Sequence, residues 1–403
     1  MKPQLKQFLD LFLCFLKLGC TAFGGPVAHL ACFRTEFVEK QKVFTDSQFT
    51  TLISICQFLP GPASSQVGLA IGLKQAGQLG AFIAWFAFTM PSAILLILFA
   101  LSLNTLDNQV LFNLAQGLKL AVVAVIIHAL WQMAKSFCTD KISIAIMLLS
   151  TMIMAIFAAI WLQFLVIILA ALIGILCFKS RTQTKQNQLD LPIKSANAKI
   201  SLTLLLAGLI VLPLLAGIFQ NQFLALFDSF FRIGATVFGG GHVVLPMLKN
   251  EVVAAGWVSE QNFLAGYGAT QAVPGPIFTF SAFLGAANAL NISPVLAGLV
   301  CLFAIFLPSF LLVNGCFYYW QFVQNNQTLK NAITGVNAAV VGLLLSYLVN
   351  PIAFDLFEAP QQLAIVFGLT LLVFSQKIPV WVIVILTGVI SALVNQFFSQ
   401  LFS

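Results

Sequence analysis

Residues 16–26, LKLGCTAFGGP, recur without gaps at 231–241 as FRIGATVFGGG. Gly19, Thr21, Phe23, Gly24 and Gly25 match Gly234, Thr236, Phe238, Gly239 and Gly240. Further on, Arg34 meets Lys249 and Glu36 meets Glu251. After a one-residue slip, FTDSQF meets VSEQNF, and Gln57 with Pro60-Gly61-Pro62 meets Gln271 with Pro274-Gly275-Pro276. MPS at 90–92 then meets LPS at 307–309, and GLKLAVVAV at 117–125 meets GVNAAVVGL at 335–343. Self-similarity on this scale means one structural unit built twice, and it limits the fold more than any other feature of the chain. It also assigns the N-terminal lysines and the apolar run after them to the fold rather than to a signal peptide, because LKLGCTAFGG has a partner deep in the chain.

The duplicated unit is apolar. Of 403 residues, 60% are hydrophobic and 8% charged. A soluble protein carries about three times as much charge. Apolar runs at 81–103, 142–178, 200–219, 294–316 and 379–397 are each long enough for a bilayer crossing. Forty phenylalanines without strand-like alternation point to helices rather than a barrel. The net charge of +7 lies in loops and at helix ends, where it sets membrane orientation rather than binding nucleic acid. The eight cysteines have no C-x-x-C spacing and fall mostly in apolar stretches, so neither disulfides nor a metal site is expected. No cofactor is implied.

The expected fold is an all-α polytopic membrane protein of two inverted-topology repeats. Nine full crossings are expected, plus four short hairpin or half-membrane pairs that meet near the bilayer midplane. Unit one is residues 1–178, a cytoplasmic linker follows at 179–199, a connecting transmembrane helix at 200–218, and unit two at 219–403. One unpaired helix between equal units turns the second upside down. Charge agrees with this: the linker carries Lys179, Arg181, Lys185, Lys194 and Lys199 against one acid. Lys40, Lys42, Lys135 and Lys141 lie in unit-one loops whose counterparts, 255–260 and 350–360, have no Lys or Arg. Lys330 and Lys377 occupy unit-two loops whose counterparts, 104–109 and 160–163, have none. The positive-inside rule then puts the N-terminus in the cytoplasm and the C-terminus outside.

Each unit interrupts itself twice. Gly-Gly separates 5–23 from 26–39 and 220–238 from 241–254. Pro-Gly-Pro separates 47–58 from 63–74 and 260–272 from 277–290. At about 1.5 Å per residue, segments of this length barely span a membrane, so the Pro-Gly-Pro pairs read as re-entrant hairpins. A break exposes the first amides of the following helix, which carry partial positive charge and favour anions. Inverted repeats with broken helices are characteristic of secondary transporters, whose substrate sits where the breaks meet. The alternative at each position is packing alone: glycine for close helix contact, proline as a kink.

Some charges persist in both units despite the opposite orientation. Lys17 pairs with Arg232, and Arg34 with Lys249. An intramembrane cation costs about 2.5–3.5 kcal/mol on insertion scales and marks a functional site unless it snorkels or pairs with an acid. The anion-site candidates are therefore Lys17, Arg232, Arg34 and Lys249; Gly24, Gly25, Gly239 and Gly240; Gln57 and Gln271; Pro60, Gly61, Pro62, Pro274, Gly275 and Pro276; and the hydroxyls of Ser65 and Thr279, with Thr21, Thr236 and Ser64 as further donors. Glu36 and Glu251 are candidate proton carriers, since low dielectric raises a carboxylate pKa. Asp46 and Glu260 read as helix-cap residues, with TDSQ at 45–48 a capping box. His29, His128 and His242 are not expected to bind metal.

The segments FGGPVAHL, FGGGHVVLP, QAVPGPIFTFSAFLG and GVNAAVVGLL, with both Pro-Gly-Pro motifs, resemble the chromate ion transporter family in its long, two-domain form. The resemblance covers residues 5–135 and 220–350 closely. It implies an inner-membrane carrier exporting chromate, with sulfate as a structural look-alike. Its Gly-Gly and Pro-Gly-Pro motifs fall on the residues already named. Unit one departs from the pattern, with ASSQVG where unit two has IFTF, so the halves need not contribute equally. The expected partners are a chromate- or sulfate-like oxyanion and membrane lipid, and a homodimer is one assembly left open. The rivals are a sulfate carrier, coupled to protons or exchanging, and an anion channel. An enzyme is disfavoured because the retained polar residues are two-fold related rather than one-sided.

Overall fold

The computed structural model describes residues 3–105, 109–157, 160–178, 191–238, 244–288, 290, 292–320, 326–353 and 360–401. These residues are overwhelmingly helical, with no strand among them. Unit one holds α1 (Pro3–Thr21), α2 (Gly25–Arg34) continued by a π-turn (Thr35–Lys40), α3 (Asp46–Phe58), α4 (Ala63–Thr105), α5 (Gln109–Phe137), α6 (Lys141–Ile156) and α7 (Ile160–Cys177). After α8 (Ser195–Phe219), unit two holds α9 (Gln222–Thr236), α10 (Val244–Val252), α11 (Glu260–Ala272), a 3-10 turn (Ile277–Thr279) leading into α12 (Phe280–Ala286), α13 (Pro294–Tyr318), α14 (Gln327–Tyr347), α15 (Pro360–Ser375) and α16 (Val380–Leu401).

Local chemistry sets the starts of several helices. Thr45 and Gln48 exchange side-chain and backbone hydrogen bonds in a full capping box at the head of α3. Asp140 caps α6 in the same manner, and Asn221 caps α9 by accepting from the Phe223 and Leu224 amides. Five helical segments among the described residues are long and apolar enough to cross a membrane: 63–103, 113–137, 195–219, 294–318 and 327–350. Four shorter apolar helices, α6, α7, α15 and α16, fill the remaining stretches read as crossings. The chain is thus a multi-pass membrane protein. On α8, Ile200, Leu204, Leu206, Ile210, Leu214 and Ile218 are all exposed, which suits lipid and not water.

The longest helical segment, α4, is not a straight rod. At Ala76–Gly77 the backbone leaves helical geometry, with Gly77 at φ 65°. A Cβ on Gly72 would lie 2.4 Å from the Gly80 carbonyl oxygen, and one on Gly80 would lie 2.3 Å from that of Gly72. Residues eight apart in a continuous helix are separated by about 12 Å, so the chain doubles back here. One leg, 63–75, is the short arm after Pro-Gly-Pro; the other, 78–105, is the crossing. Unit two does the same with separate helices: a Cβ on Gly285 of α12 would lie 2.4 Å from the Ala297 carbonyl of α13.

Most of the core is one continuous apolar cluster across both units, with Ala124, Val373 and Ile383 in a small separate one. In unit one, Phe15, Phe33, Phe37 and Phe88 stack around one another with ring centroids 5.2–6.3 Å apart. Glycine permits the closest approaches. Gly19 of α1 lies against the Phe88 carbonyl of α4, and its repeat mate Gly234 of α9 lies against the Ile305 carbonyl of α13. Association inside a bilayer depends on such backbone contact because lipid offers no hydrophobic driving force between helices.

Candidate functional site

The two Pro-Gly-Pro breaks meet the opposite unit inside the protein. The Gly61 amide donates to the Val237 carbonyl at 2.7 Å, and the Gly275 amide donates to the Ala22 carbonyl at 3.0 Å. Val237 and Ala22 are repeat mates, as are Gly61 and Gly275. Each proline-flanked turn therefore pairs with the end of the other unit's first helix, reciprocally. Both turns are buried except for a partly exposed Pro60. Both glycines need positive φ, 108° at Gly61 and 97° at Gly275, a region that side chains other than glycine's rarely occupy. Their empty Cβ positions are filled by mates too: Ser309 Oγ would lie 2.9 Å from a Cβ at Gly61, and Ser92 Oγ 2.8 Å from one at Gly275.

The two turns are tied together through unit one. His29 of α2 is fully buried, with Nε2 3.2 Å from the Ala22 carbonyl and Nδ1 3.3 Å from Ser64 Oγ. That geometry assigns Nε2–H as donor to Ala22 and Nδ1 as acceptor from Ser64. The Gln66 amide donates to the Pro60 carbonyl at 2.6 Å and approaches Ser309 Oγ at 3.5 Å. Residues 60–66 thus touch both reciprocal contacts, so the two turns are neighbours in the interior.

The breaks differ in how they start the next helix. In unit one, Gly24 and Gly25 have φ 99° and 74°, and α2 begins immediately with Pro26 in its first turn and no side-chain cap. Pro62 likewise leads straight into α4. In unit two, Pro276 leads into a tight 3-10 turn, and seven-residue α12 follows. Gly239 and Gly240, with Gly241 and His242, lie outside the described residues. Of the four helix starts expected from the sequence, unit one supplies two regular ones.

Many candidate hydroxyls are already committed. Thr21 donates to the Lys17 carbonyl and Thr236 to that of Arg232, each at 2.7 Å, another matched pair. Thr279 donates to the Pro276 carbonyl at 2.7 Å. A hydroxyl has one proton, so these cannot also donate to a ligand without breaking that bond. Ser65 Oγ and Gln271 Nε2 are buried without a partner. Gln57, by contrast, is exposed. Buried polar atoms without partners that the sequence reading missed include Gln66 Oε1, Thr89 Oγ1 and Trp85 Nε1. Only burial distinguishes them, and no motif marks them.

The charged candidates separate into distinct settings. Lys17 is exposed on α1. Arg34 is half-exposed and paired with Glu39 at 2.7 Å and Asp46 at 2.6 Å. Lys249 pairs with Glu260 and sits over the Tyr347 ring, 4.8 Å from its centroid. Asp46 and Glu260 are therefore counter-ions for a repeat-matched cation pair as well as first-turn residues of α3 and α11. Arg232 lies between Asp228 Oδ2 at 2.7 Å and Glu251 Oε1 at 3.1 Å, both carboxylates nearly buried. Ser229 also donates to Glu251 at 2.9 Å. In unit one, Glu36 accepts from Gln41 at 2.9 Å and from Lys40 at 3.1 Å. The Gln41 hydrogen bond, aided by Lys40, holds the Glu36 carboxyl below the usual carboxylate range, the reverse of the rise expected for a proton carrier. Asp228 went unnoticed in the sequence because its repeat position in unit one is Leu13.

A cleft of about 480 Å³ opens beside Glu36 in unit one, lined by Lys6, Gln7, Asp10, Leu11, Cys14, Gln41 and Gln75. Cys14 in this cleft is the mate of Ser229, which in unit two donates to Glu251. Among the described residues, no group of His, Cys, Asp and Glu is arranged to hold a metal.

A family model described as chromate transporter matches residues 9–175 and 224–392, the two repeat units in turn. The chain belongs to the chromate transporter family. A chromate transport protein of Pseudomonas aeruginosa is 27% identical over 359 residues, covering 85% of this chain and 80% of the relative. An uncharacterized transporter of Methanocaldococcus jannaschii is 24% identical over 389 residues, covering 96% and 94%. A chromate transport protein of Cupriavidus metallidurans is 24% identical, covering 92% and 88%. No solved structure matches the chain. Membership gives the buried reciprocal junction its context: it lies within the two segments that define the chromate transporter family.

Proposed function

We propose that this protein is a secondary carrier that exports chromate, a tetrahedral divalent oxyanion, across the inner membrane by alternating access. The observation that carries the reading is the reciprocal pairing of Gly61 with Val237 and Gly275 with Ala22. It joins two copies of one unit at a buried junction of the two Pro-Gly-Pro breaks, and transporters place their substrate where broken helices meet. The repeats are inverted in this reading, with the N-terminus cytoplasmic and the C-terminus outside, as the loop charges indicate. The membrane potential itself favours outward movement of a dianion, by about 2.3 kcal/mol per charge per 100 mV.

The proposed site is narrower than the sequence alone suggests. Ser65 and Gln271 offer uncommitted buried donors, the first amides of α2 and α4 offer backbone N–H groups, and Lys17 offers exposed charge for the approaching anion. Arg34 and Lys249 act as tethers, held by Asp46 and Glu260. The protein is read as a carrier and not an enzyme.

The test is uptake of radiolabelled chromate and sulfate into proteoliposomes, with potential and pH gradients imposed separately. Saturable chromate flux with counterflow is expected, and flux should fall about tenfold or more in Lys17→Ala, Ser65→Ala and Gln271→Ala, the loss that removing one or two charge-assisted hydrogen bonds produces. Parental flux in all three would remove the site. Non-saturating flux without counterflow would make the protein a channel. Sulfate outcompeting chromate would reassign the substrate. Arg34→Ala should change both chromate flux and melting temperature little, because its partners are exposed and solvent-screened; a large loss of flux at parental stability would return Arg34 to the site.

A further inference from the structure

Arg232 is bracketed by two carboxylates, and they outnumber it. Asp228 is 5% exposed and Glu251 is 7% exposed. Asp228 places Oδ2 on Nε and Nη2 of Arg232, at 3.2 and 2.7 Å. Its other oxygen, Oδ1, is buried without a hydrogen-bond partner. The trio therefore carries one excess negative charge inside the protein, and one buried carboxylate oxygen lacks a donor. Each is unfavourable in low dielectric. A single bound proton removes the excess charge.

Among the described residues, no further cation is hydrogen-bonded to the trio's carboxylates. On α10, Lys249 is engaged with Glu260 of α11 and with Tyr347 of α14. On α8 the titratable residue is Lys199, exposed near its start, and on α14 they are Lys330 and Tyr347. On α13, the titratable residues are Cys301, Cys316 and Tyr318. Unit one has no equivalent trio. Leu13 replaces Asp228 and Cys14 replaces Ser229, while Glu36 is held by Lys40 and Gln41.

We propose that the Asp228–Arg232–Glu251 trio of unit two is the coupling-proton site of the carrier, binding one proton on its carboxylate pair. This rests on the transport reading above and assigns its coupling to one repeat only. The proton is assigned to the pair, because both carboxylates share one guanidinium. It joins α9 to α10 across the second Gly-Gly break, so loading or releasing it changes the contact between the two arms that must move.

The experiment compares the full-length parent with Asp228→Asn and Asp228→Glu in proteoliposomes. Chromate counterflow is measured without gradients, and net chromate flux under a pH gradient is measured with the potential clamped at zero. Relative to counterflow, pH-driven flux should fall about tenfold or more in Asp228→Asn, the scale of a typical coupling free energy, and should return in Asp228→Glu. An unchanged ratio in Asp228→Asn overturns the proposal. A second readout is independent of transport. On acidification, the parent in detergent should gain an infrared carboxylic-acid band whose slow deuterium exchange marks it as buried, and Asp228→Asn should lack it. If the parent shows this band but moves no chromate, the transport reading fails and the proton site stands. If the band persists in Asp228→Asn, the site is overturned whatever the fluxes.

Discussion

Replacing Arg232 with methionine should destabilise the protein by about 3–5 kcal/mol, the range measured when one partner of a buried ion pair is removed. The size follows from its partners. Asp228 and Glu251 are almost wholly buried, and both depend on the same guanidinium. Without it, two carboxylates remain inside with only the Ser229 hydroxyl donating to them among the described residues. The measurement is the midpoint of thermal unfolding in detergent, followed by size-exclusion elution. Lysine at 232 should recover only part of the loss, since one ammonium cannot reproduce the Nε, Nη1 and Nη2 contacts that bind both acids. A parental midpoint for Arg232→Met would mean the trio is solvated. Loss of transport in an Arg232 variant is therefore ambiguous by itself, whereas exposed Lys17 gives a cleaner test of the anion site.

Alanine at Gly61 or Gly275 should abolish chromate flux. Two penalties combine. A residue other than glycine held at φ near 100° costs about 1–3 kcal/mol. The new methyl would also lie 2.8–2.9 Å from Gln66 Nε2 and Ser309 Oγ at Gly61, and 2.8 Å from Ser92 Oγ at Gly275. Relief of either penalty moves the turn and breaks a reciprocal hydrogen bond, so both units are affected by one substitution. The double variant Gly275→Ala with Ser92→Ala removes the collision and keeps the backbone strain, and should regain part of the unfolding midpoint. Equal flux in Gly275→Ala and the parent would show that the junction is not where the anion passes.

The contrast between matched positions explains what a single chain can and cannot reveal. Local rules hold where the partner is close in sequence. The capping box at Thr45–Gln48, the breaks at Gly24-Gly25 and Pro60-Gly61-Pro62, and the apolar crossings were all legible because each depends on neighbouring residues or on period. The repeat also identified which residues are mates, and Gly61, Gly275, Ser92 and Ser309 do meet as mates. Charges were harder to read. Arg34 and Lys249 read as anion ligands, and each pairs with an acid 11 or 12 positions away across a loop, Arg34 also with Glu39. Asp228 was invisible because comparison of repeats conceals a residue present in only one of them.

The sequence by itself determined that this chain is a duplicated, helical, multi-pass membrane protein whose units are interrupted at Pro-Gly-Pro. Those properties follow from the apolar content, from the repeat, and from the torsional demands of glycine and proline. Tertiary structure alone decided which donors remain uncommitted and which acids hold Arg34, Lys249 and Arg232. A hydroxyl or carboxylate satisfies its hydrogen bonds with whatever packing brings near it, and in a core built from two interlocked units those neighbours come from distant parts of the chain.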